Sequence, residues 1–539
     1  MKQPLEVLRL YASHDYTLNG AFETRLAAGP ERAFLVHQGR TWSWAAFRSA
    51  ALRVAQLLAK RGVKKGDRIG ILSRNSDAHV LLLFACARVG AIMVPSNPEF
   101  GVQEAGYVLG HAGVSGVVCS EEVFAVVQEA CRGIEPRPWF LLIDAAREGA
   151  PHFFDELARH PELASPPAVT ADDTCLIVYT SGTTGFPKGA MHSQRNFVTC
   201  GEAFVQRVRL QDDDRVMIVL PLFHINALFY SVAGTLAAGC SMAVVPRFSA
   251  STFWDTAVLA GATEVNVIDA IGTILKERPR SEYRPAHRIR RVYGARQNVV
   301  DTFRDEFGIP HLVGGFGMTE IPGVTATPFE GPRKPGSMGP VGRHPDPARP
   351  WAECRVLDDD GRDVAVNEVG ELAVRTPIIM QGYFRDPEQT KTAFRDGWFM
   401  TGDLVKRDED GNYYYVPRKK DIIRRRGENI AGAEIDRVIQ EHPGVVEVAA
   451  VAVPSELGED EILVAIVPRP GVTLTAQEIA RWCGERLAAM KVPRFVLFAD
   501  KLPHTPTHKV AKHVLKADGT LRERAVDLQK TRAREGGRA

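Results

Sequence analysis

The amino-acid sequence predicts an α/β protein with a large N-terminal region of parallel or mixed sheets covered by helices, followed by a small α+β domain. A chain of 539 residues is too long for one hydrophobic core, so two or more domains are expected. From Trp42 onward, short apolar runs alternate with amphipathic helical stretches. This alternation is typical of parallel strands that are covered by helices.

The elements follow in order from the spacing of apolar residues. In the first part of the chain, helices are expected over 45–61 and 77–89, and strands over 68–72 and 91–95. Further strand-like runs are 114–119, 139–143, 175–179, 216–220, 289–292 and 311–313. For the small C-terminal domain the pattern predicts helices over 433–441 and 476–489 and strands over 445–453 and 462–467.

Bulk composition excludes several classes of function. Lysine plus arginine exceeds aspartate plus glutamate by 67 − 65 = +2, so neither nucleic acid nor an anionic membrane is expected as the main partner. The 8 cysteines are scattered without a metal-binding spacing, and most lie in apolar runs, as buried free thiols do. We see no secretion signal at the N-terminus and no apolar run long enough to span a bilayer, so a soluble cytoplasmic enzyme is expected.

The longest stretch suited to one chemical task follows the apolar run 175–179. It reads Thr180-Ser181-Gly182-Thr183-Thr184-Gly185-Phe186-Pro187-Lys188-Gly189. Glycines let the main chain approach a ligand closely, while backbone N–H groups, hydroxyls and Lys188 supply donors and a positive charge. The stretch predicts a phosphate-binding loop, although the Walker spacing is absent. An ordinary polar turn is the alternative, because the same residue types are common in loops.

Three other predicted strands end in candidate site residues. His224 and Asn226 follow 216–220, Tyr293-Gly294-Ala295-Arg296 completes 289–292, and Gly314-Gly315-Phe316-Gly317-Met318-Thr319-Glu320 follows 311–313. Small residues admit a flat ring beside the backbone, and Phe316 offers a face on which adenine could stack. Taken alone, the glycine clusters are equally compatible with turns, and a lone histidine with the edge of a core.

Two charged stretches lie further along the chain. We interpret Thr401-Gly402-Asp403 as a tight turn whose carboxylate can accept hydrogen bonds from both hydroxyls of a ribose; a plain hairpin turn is the alternative. Residues 417–430 are the densest charge run, either a solvated face or a phosphate patch. The apolar centre of this run, 421–423, favours a short strand.

Several of these motifs together resemble the adenylate-forming enzymes, the superfamily of acyl-CoA synthetases, luciferases and adenylation domains. Thr180 to Gly189 resembles the family's signature loop, Phe316 to Glu320 its aromatic-Gly-x-Thr-Glu motif, and 417–430 its hinge motif. The resemblance implies activation of a carboxylate by ATP to an acyl-adenylate and pyrophosphate, followed by capture of the acyl group by a thiol. Pro221 to Trp254, with Arg424 to Asn429, most resembles the crotonobetaine/carnitine-CoA ligase branch.

The same resemblance implies a role for each candidate residue. Lys509 would bridge the carboxylate and the α-phosphate, His224 would gate the thiol tunnel, and Glu320 would hold Mg²⁺. The implied catalytic set is Lys509, His224, Thr184 and Glu320. The implied ATP site is Thr180, Ser181, Gly182, Thr183, Thr184, Lys188, Gly294, Ala295, Gly315, Phe316, Gly317, Met318, Thr319, Asp403, Arg418 and Lys509. The implied acyl pocket is His224, Asn226, Phe229, Asp269, Tyr293 and Gly315, with Gly427 and Glu428 in the CoA tunnel and Lys420 at the hinge.

The resemblance also implies the domain organisation and the reaction. The ATP and acyl sites would occupy residues 1–417, a hinge 418–421, and a mobile C-terminal lid carrying Lys509 residues 422–525, before a flexible tail at 526–539. ATP, CoA and a carboxylic acid are the expected small-molecule partners, with Mg²⁺ as cofactor. The leading hypothesis is an acid–CoA ligase. A loader of carrier-protein phosphopantetheine and a non-catalytic nucleotide- or acyl-binding relative are the alternatives, and both monomer and homodimer stay open.

Overall fold

A computed structural model of the protein describes residues 1–180, 187–295, 297–416, 422–425, 428–455, 460–487, 489–504 and 510–529. The chain divides into two compact units. The large unit comprises Met1–Arg355, Ala373–Met400 and Asp408–Tyr414, and the small unit comprises Val356–Leu372, Thr401–Arg407 and Tyr415–Ala539.

The helices and strands alternate through most of the large unit. The helices are α1 (Pro4–Leu8), α2 (Leu18–Ala28), α3 (Trp44–Lys60), α4 (Asp77–Val89), α5 (Val102–Ala112), α6 (Glu121–Ala130), α7 (Phe153–Arg159), α8 (Gln194–Val208), α9 (Ala233–Ala238), α10 (Phe253–Ala260), α11 (Asp269–Glu277), α12 (Gln297–Asp301), α13 (Pro387–Ala393), α14 (Gly432–Gln440), α15 (Ala476–Gly484), α16 (Lys512–Ala517) and α17 (Leu521–Arg524). Two π-helical segments, Asn226–Val232 and Thr302–Glu306, precede α9 and follow α12.

The strands are short, as expected for sheets covered by helices. They are β1 (Ala33–His37), β2 (Arg40–Ser43), β3 (Arg68–Leu72), β4 (Ile92–Ser96), β5 (Gly116–Cys119), β6 (Trp139–Leu142), β7 (Thr174–Thr180), β8 (Lys188–Ser193), β9 (Arg215–Ile218), β10 (Ser241–Val244), β11 (Glu264–Asn266), β12 (Arg291–Tyr293), β13 (His311–Val313), β14 (Gly315–Met318), β15 (Ile321–Ala326), β16 (Glu353–Leu357), β17 (Val369–Arg375), β18 (Gly382–Tyr383), β19 (Phe394–Arg395), β20 (Trp398–Arg407), β21 (Tyr413–Val416), β22 (Ile422–Arg425), β23 (Glu428–Ala431), β24 (Val445–Pro454), β25 (Asp460–Pro468), β26 (Phe495–Phe498) and β27 (Val526–Asp527).

Two seven-stranded sheets form the frame of the large unit. The first has the order β13-β12-β11-β9-β10-β1-β2, and all its pairs are parallel except β1 with β2. The second has the order β18-β8-β7-β4-β3-β5-β6, in which β8 runs antiparallel to both of its neighbours. Mixed sheets covered by helices therefore confirm the predicted fold class.

Helix α4 shows how the sequence creates the core of this unit. Its residues Asp77–Val89 contain almost no polar face, and nearly every side chain is buried. A helix that is apolar all round belongs in the interior rather than on a surface. Gly90 ends the helix with φ +73°, the left-handed conformation that favours glycine at this position.

The small unit holds a four-stranded sheet of order β24-β25-β26-β27. Helices α14 and α15 supply its apolar layer through Ile435, Ile439 and Ile479, all fully buried beside Val464 of the sheet. Thr475 begins α15 with a capping box that it forms with Glu478, which satisfies two backbone N–H groups at the helix start. These elements agree with the predicted α+β character of the C-terminal region.

Two local expectations are corrected, and one helical segment was not predicted. Helix α15 ends at Gly484 rather than at residue 489, since glycine is a poor helix former. The stretch after Ile225 continues into helical turns, which the sequence analysis did not predict. Residues 315–318 form strand β14 rather than a turn, paired antiparallel with β15.

Two bulk properties were also predicted. Seven of the eight cysteines are buried and Cys354 is half-buried, all of them free thiols. Among the described helices none is long and apolar enough to cross a membrane.

Candidate active site

The predicted phosphate loop connects two antiparallel neighbours of the second sheet. Strands β7 and β8 pair with Thr180 opposite Lys188 and Tyr179 opposite Gly189. The hairpin therefore fixes both ends of the loop, although Ser181, Gly182, Thr183 and Thr184 lie outside the described residues. A Cβ on Gly189 would lie 2.7 Å from Ile177 Cγ2, so glycine is required where the two strands cross closely.

Lys188 carries the positive charge at this end of the hairpin. Its ammonium Nζ donates to Gln389 Oε1 at 2.5 Å and lies 5.2 Å from the centroid of the Tyr383 ring. Gln389 comes from α13, which begins at Pro387 behind an Asp386 cap. The ammonium is thus held over an aromatic face, where a cation is attracted by the ring.

The same tyrosine fixes the carboxylate of Glu320. The Tyr383 hydroxyl donates to Glu320 Oε1 at 2.7 Å, and Glu320 is only 6% exposed. Burial, followed by the negative charge of Glu320, raises the pKa of Tyr383 well above its usual value, so the phenol stays a neutral donor. Within the described chain no residue donates to Oε2. One carboxylate oxygen is therefore positioned by the protein while the other can face a ligand.

His192 fixes the backbone immediately before this carboxylate. Its Nε2–H donates to the Thr319 carbonyl at 2.8 Å, and its ring packs edge-on against Phe229 at 4.7 Å between centroids. Complete burial lowers the pKa of His192 to about 4, so the imidazole is neutral at physiological pH. Met380 N–H donates to the Glu320 carbonyl at 2.8 Å. The Thr319–Glu320 backbone is consequently held from two sides.

The glycines of the predicted nucleotide site leave the main chain uncovered by side chains. Gly294 has φ +91°, and a Cβ there would lie 2.0 Å from the Val267 carbonyl oxygen, so no other residue fits. Gly315 and Gly317 are exposed on one face of β14, while Phe316 between them is half-buried. Ala295 follows Gly294 and is buried, and Met318 is half-buried at the end of β14. The arrangement leaves a side-chain-free strip beside Thr319 and Glu320.

The predicted acyl-pocket residues lie in different environments. His224 stands two residues before the π-helical segment, and the centroid of its ring lies 4.4 Å from that of Phe223. Asn226 Oδ1 accepts from Asn266 Nδ2 at 2.9 Å. Phe229 is fully buried, and Tyr293 ends β12 with 4% of its surface exposed. Asp269 begins α11, and its side chain is outside the described structure.

Asp403 belongs to the small unit and corrects one sequence interpretation. Thr401-Gly402-Asp403 is not a tight turn but lies within the ten-residue strand β20. Gly402 has φ +69°, a left-handed conformation that glycine adopts readily. This requirement explains why a residue typical of turns stands within the strand. Thr401 Oγ1 accepts from the Asp403 N–H at 3.1 Å, and Asp403 is 4% exposed. The carboxylate is thus on a strand rather than at a loop tip.

The remaining predicted site residues belong to the C-terminal part of the chain. Arg418, Lys420, Gly427 and Lys509 lie outside the described residues, and of Glu428 only its backbone position at the start of β23 is described.

Two residues of the site were missed by sequence reasoning. Tyr383 is 63 residues from Glu320, so no local pattern connects them. His192 gave a usable signal, because it stands four residues after Lys188 and shares a strand face with it when β8 is extended.

The chain is similar to known proteins over most of its length. Residues 22–384 match the family model described as AMP-binding enzyme, and residues 434–509 match the model of the AMP-binding enzyme C-terminal domain. Oxalate–CoA ligase of Arabidopsis thaliana is 32% identical over 522 residues, covering 93% of this chain and 98% of that protein. Crotonobetaine/carnitine–CoA ligase of Salmonella enteritidis PT4 is 30% identical over 490 residues, covering 88% and 93%. The crystal structure of ATP-bound MatB from Rhodopseudomonas palustris has a TM-score of 0.81 at 30% identity, covering 93% and 98%.

Proposed function

The chain belongs to the AMP-binding enzyme family, and we propose that it is an ATP-dependent ligase that joins a carboxylic acid to coenzyme A through the site around Glu320. The family resemblance inferred from the sequence is confirmed by both family models. Relatives at about 30% identity that cover nearly the whole chain are CoA ligases. They favour CoA over a carrier protein as the acceptor.

The observation that carries the proposal is the frame around Glu320. Tyr383 positions the carboxylate at 2.7 Å, His192 positions the Thr319 carbonyl at 2.8 Å, and Lys188 lies over the Tyr383 ring. A carboxylate, a hydroxyl and an ammonium held beside open glycine backbone suit a nucleotide phosphate with its cation. Preorganised groups of this kind need no rearrangement when negative charge develops.

The reaction that we assign to the site has two steps. In the first, an oxygen of the acid carboxylate attacks the α-phosphorus of ATP, and the bond to the bridging oxygen breaks so that pyrophosphate leaves. In the second, the CoA thiol releases its proton to solvent and attacks the acyl carbon, and the bond from that carbon to the AMP oxygen breaks so that AMP leaves. Lys188, Thr319 and the 180–184 loop would bind phosphate oxygens, and Lys509 would bridge the two reacting groups. Positioning and charge stabilisation supply the catalysis.

Glu320 is the residue that would hold magnesium. An oxygen ligand that is 6% exposed and already fixed by one hydrogen bond suits Mg²⁺, which prefers carboxylate and phosphate oxygens and keeps several waters. When bound, the ion neutralises phosphate charge. The protein's own part is to hold Glu320 and Thr319 in fixed positions.

The experiment is a panel of carboxylic acids assayed for pyrophosphate release with the full chain, ATP and Mg²⁺, with and without CoA. The proposal expects acid-dependent pyrophosphate release, and an acyl-CoA thioester detected by mass only when CoA is present. Adenylate formation without thioester would move the acceptor to a carrier protein. Absence of pyrophosphate release with every acid would contradict the ligase itself.

A further inference from the structure

One buried cation of the large unit lies beside the site without a carboxylate partner. Arg207 is in the last turn of α8 and is 4% exposed. The titratable groups that interact with it are Tyr293, Tyr230 and Cys200. Within the described chain it forms no ion pair with an aspartate or glutamate. A buried charge usually has such a partner, because taking it out of water is costly.

The contacts of the guanidinium are with neutral groups, and they include side-chain interactions with Tyr230 and Tyr293. Nη2 donates to the Gly323 carbonyl oxygen, and the group lies 5.4 Å from the Tyr230 ring centroid and 5.6 Å from that of Trp351. Nη1 is buried and has no hydrogen-bond partner among the described residues. A guanidinium presents five donors in a planar fork that suits a carboxylate. Arg207 therefore keeps unused donors in the interior.

These donors lie against the backbone of the paired strands β14 and β15. A Cβ on Gly323 would lie 1.9 Å from Arg207 Nη1, one on Gly317 would lie 2.7 Å from the Tyr230 hydroxyl, and one on Gly315 would lie 3.1 Å from the Tyr293 hydroxyl. The two tyrosine rings are 5.2 Å apart. A side chain at any of these three positions would overlap or crowd these groups, so the glycines let one cation and two hydroxyls approach the backbone closely, within a few residues of Thr319 and Glu320.

The two phenols are suited to the same ligand. Both tyrosines are buried, and burial raises the pKa of Tyr230 well above its usual value and also raises that of Tyr293. They therefore remain neutral O–H groups that can donate to an anion. Phe204 stacks on Tyr230 at 5.5 Å, so the hydroxyls are held in place by packing. Hydrophobic walls with a few converging polar groups are typical of a small-molecule pocket.

We propose that the acid substrate is a short dicarboxylic acid whose second carboxylate binds Arg207 together with the hydroxyls of Tyr230 and Tyr293. The inference rests on the proposed ligase activity and names its substrate class. One carboxylate reacts beside Thr319 and Glu320, while the other pairs with the buried guanidinium. The acid supplies the negative charge that the protein does not.

The test compares acids that differ only in the second charge. Initial rates of pyrophosphate release are measured for succinate against succinamate and for glutarate against glutaramate, because an amide has nearly the size of a carboxylate but no charge. Charge-assisted hydrogen bonds contribute about 1.5–3 kcal/mol, so the wild-type kcat/KM is expected to favour the dicarboxylate by about 10- to 100-fold.

Arg207→Met is expected to remove this preference while the amide acids keep their rates. Arg207→Lys should keep part of the preference, since the charge remains but the fork is lost. Arg209→Met is the matched control: Arg209 lies two residues further on and pairs with Glu330 at 2.6 Å, so its loss should leave the ratio unchanged. Thermal unfolding of each variant establishes that it is folded.

Each outcome decides a different claim. A wild-type enzyme that uses both members of each pair equally, or prefers the amide, would overturn the dicarboxylate assignment. An equal loss of rate on both members in folded Arg207→Met would make the residue merely structural. Pyrophosphate release from no acid at all would instead contradict the ligase proposal, and with it the substrate class that rests on it.

Discussion

Arg207 and Arg291 are two buried arginines of the same unit with opposite surroundings. Arg291, at the start of β12, is fully buried, and its Nη1 lies 2.8 Å from both oxygens of Asp214. Arg207 contacts a carbonyl and two aromatic faces instead. The short strand β12 shows the contrast within three residues, because it begins at Arg291 and ends at Tyr293.

The different partners of the two arginines suggest different roles: Arg291 in the stability of the fold and Arg207 in ligand binding. Arg291 satisfies its charge within the protein, at the edge of the first sheet where the parallel strands begin. Arg207 lies near Tyr293, at the edge where those strands end, and ligands of open α/β sheets bind at this carboxyl edge. A cation that is paired internally contributes to the folded state, whereas one left with neutral partners is available to a substrate. Substitutions at the two edges should therefore affect different measurements.

The largest effect on the free energy of unfolding is expected for Asp214→Ala. Asp214 accepts from Arg291 and from Arg290, at 2.8 and 2.6 Å, so its removal leaves a buried guanidinium without the carboxylate that it hydrogen-bonds. Breaking a buried ion pair costs about 3–5 kcal/mol. Urea unfolding should show this loss, while the KM for acid and ATP of the folded fraction stays the same. A loss below about 1 kcal/mol would place the pair among weak surface contacts.

The next largest effect is expected on activity, for a substitution of Glu320 at the carboxyl edge of the sheet. Glu320→Gln keeps the hydrogen bond from Tyr383 but removes the negative charge, so pyrophosphate release should fall by about 100-fold, or about 3 kcal/mol. The free energy of unfolding should change by less than about 1 kcal/mol.

Tyr383→Phe is the matched control for this carboxylate, because it deletes only the positioning hydrogen bond. A reduction of about 5-fold is expected, consistent with about 1 kcal/mol for one hydrogen bond. If Glu320→Gln were destabilised as strongly as Asp214→Ala and kept full activity, the assignment of the two edges would be wrong.

The smallest expected effect is the contribution of Glu264 to the pH dependence of stability. Glu264 begins β11 beside Asp214 and Arg291. Burial, followed by the charge of Asp214, raises the pKa of Glu264 well above its usual value. Between the unfolded pKa, about 4.3, and the folded one, the native state binds more protons than the unfolded chain. Stability therefore falls as pH rises through this window, by up to about 1.4 kcal/mol per pH unit.

Glu264→Gln cannot lose this proton, so its unfolding free energy should decline less steeply with pH than that of the wild type. Urea unfolding at several pH values from about 5 upward gives both slopes. Identical slopes would mean that Glu264 is ionised in the folded protein. The activity at the other edge should be unaffected by the substitution, since Glu264 pairs in register with Arg291, at the edge where the parallel strands begin.

The residues around Glu320 differed in how far the sequence predicted them. Thr319 and Glu320 stand in a contiguous motif that follows the apolar run 311–313, so the sequence alone names both as candidates. Tyr383 and Arg207 were not, because they reach the site through tertiary packing across 63 and 116 residues. Arg207 offered one signal: it is a charged residue at helical spacing from Phe204 on the buried face of α8.

The tripeptide Thr401-Gly402-Asp403 shows a limit of a different kind. Its composition is that of a turn, yet strand pairing in β20 prevails, and only glycine accommodates the positive φ. Local composition predicts the conformation of single residues better than it predicts the element that contains them.

The most direct test of the ligase assignment follows the carboxylate oxygen. The full chain is incubated with ATP, Mg²⁺, CoA and the most active acid of the panel, with both oxygens of its reacting carboxylate replaced by ¹⁸O. Attack of that oxygen on the α-phosphorus leaves it on the nucleotide, so mass spectrometry should find AMP carrying one ¹⁸O, in step with acyl-CoA. Unlabelled AMP, or label in inorganic phosphate beside ADP, would contradict an acyl-adenylate and with it the function assigned to this protein.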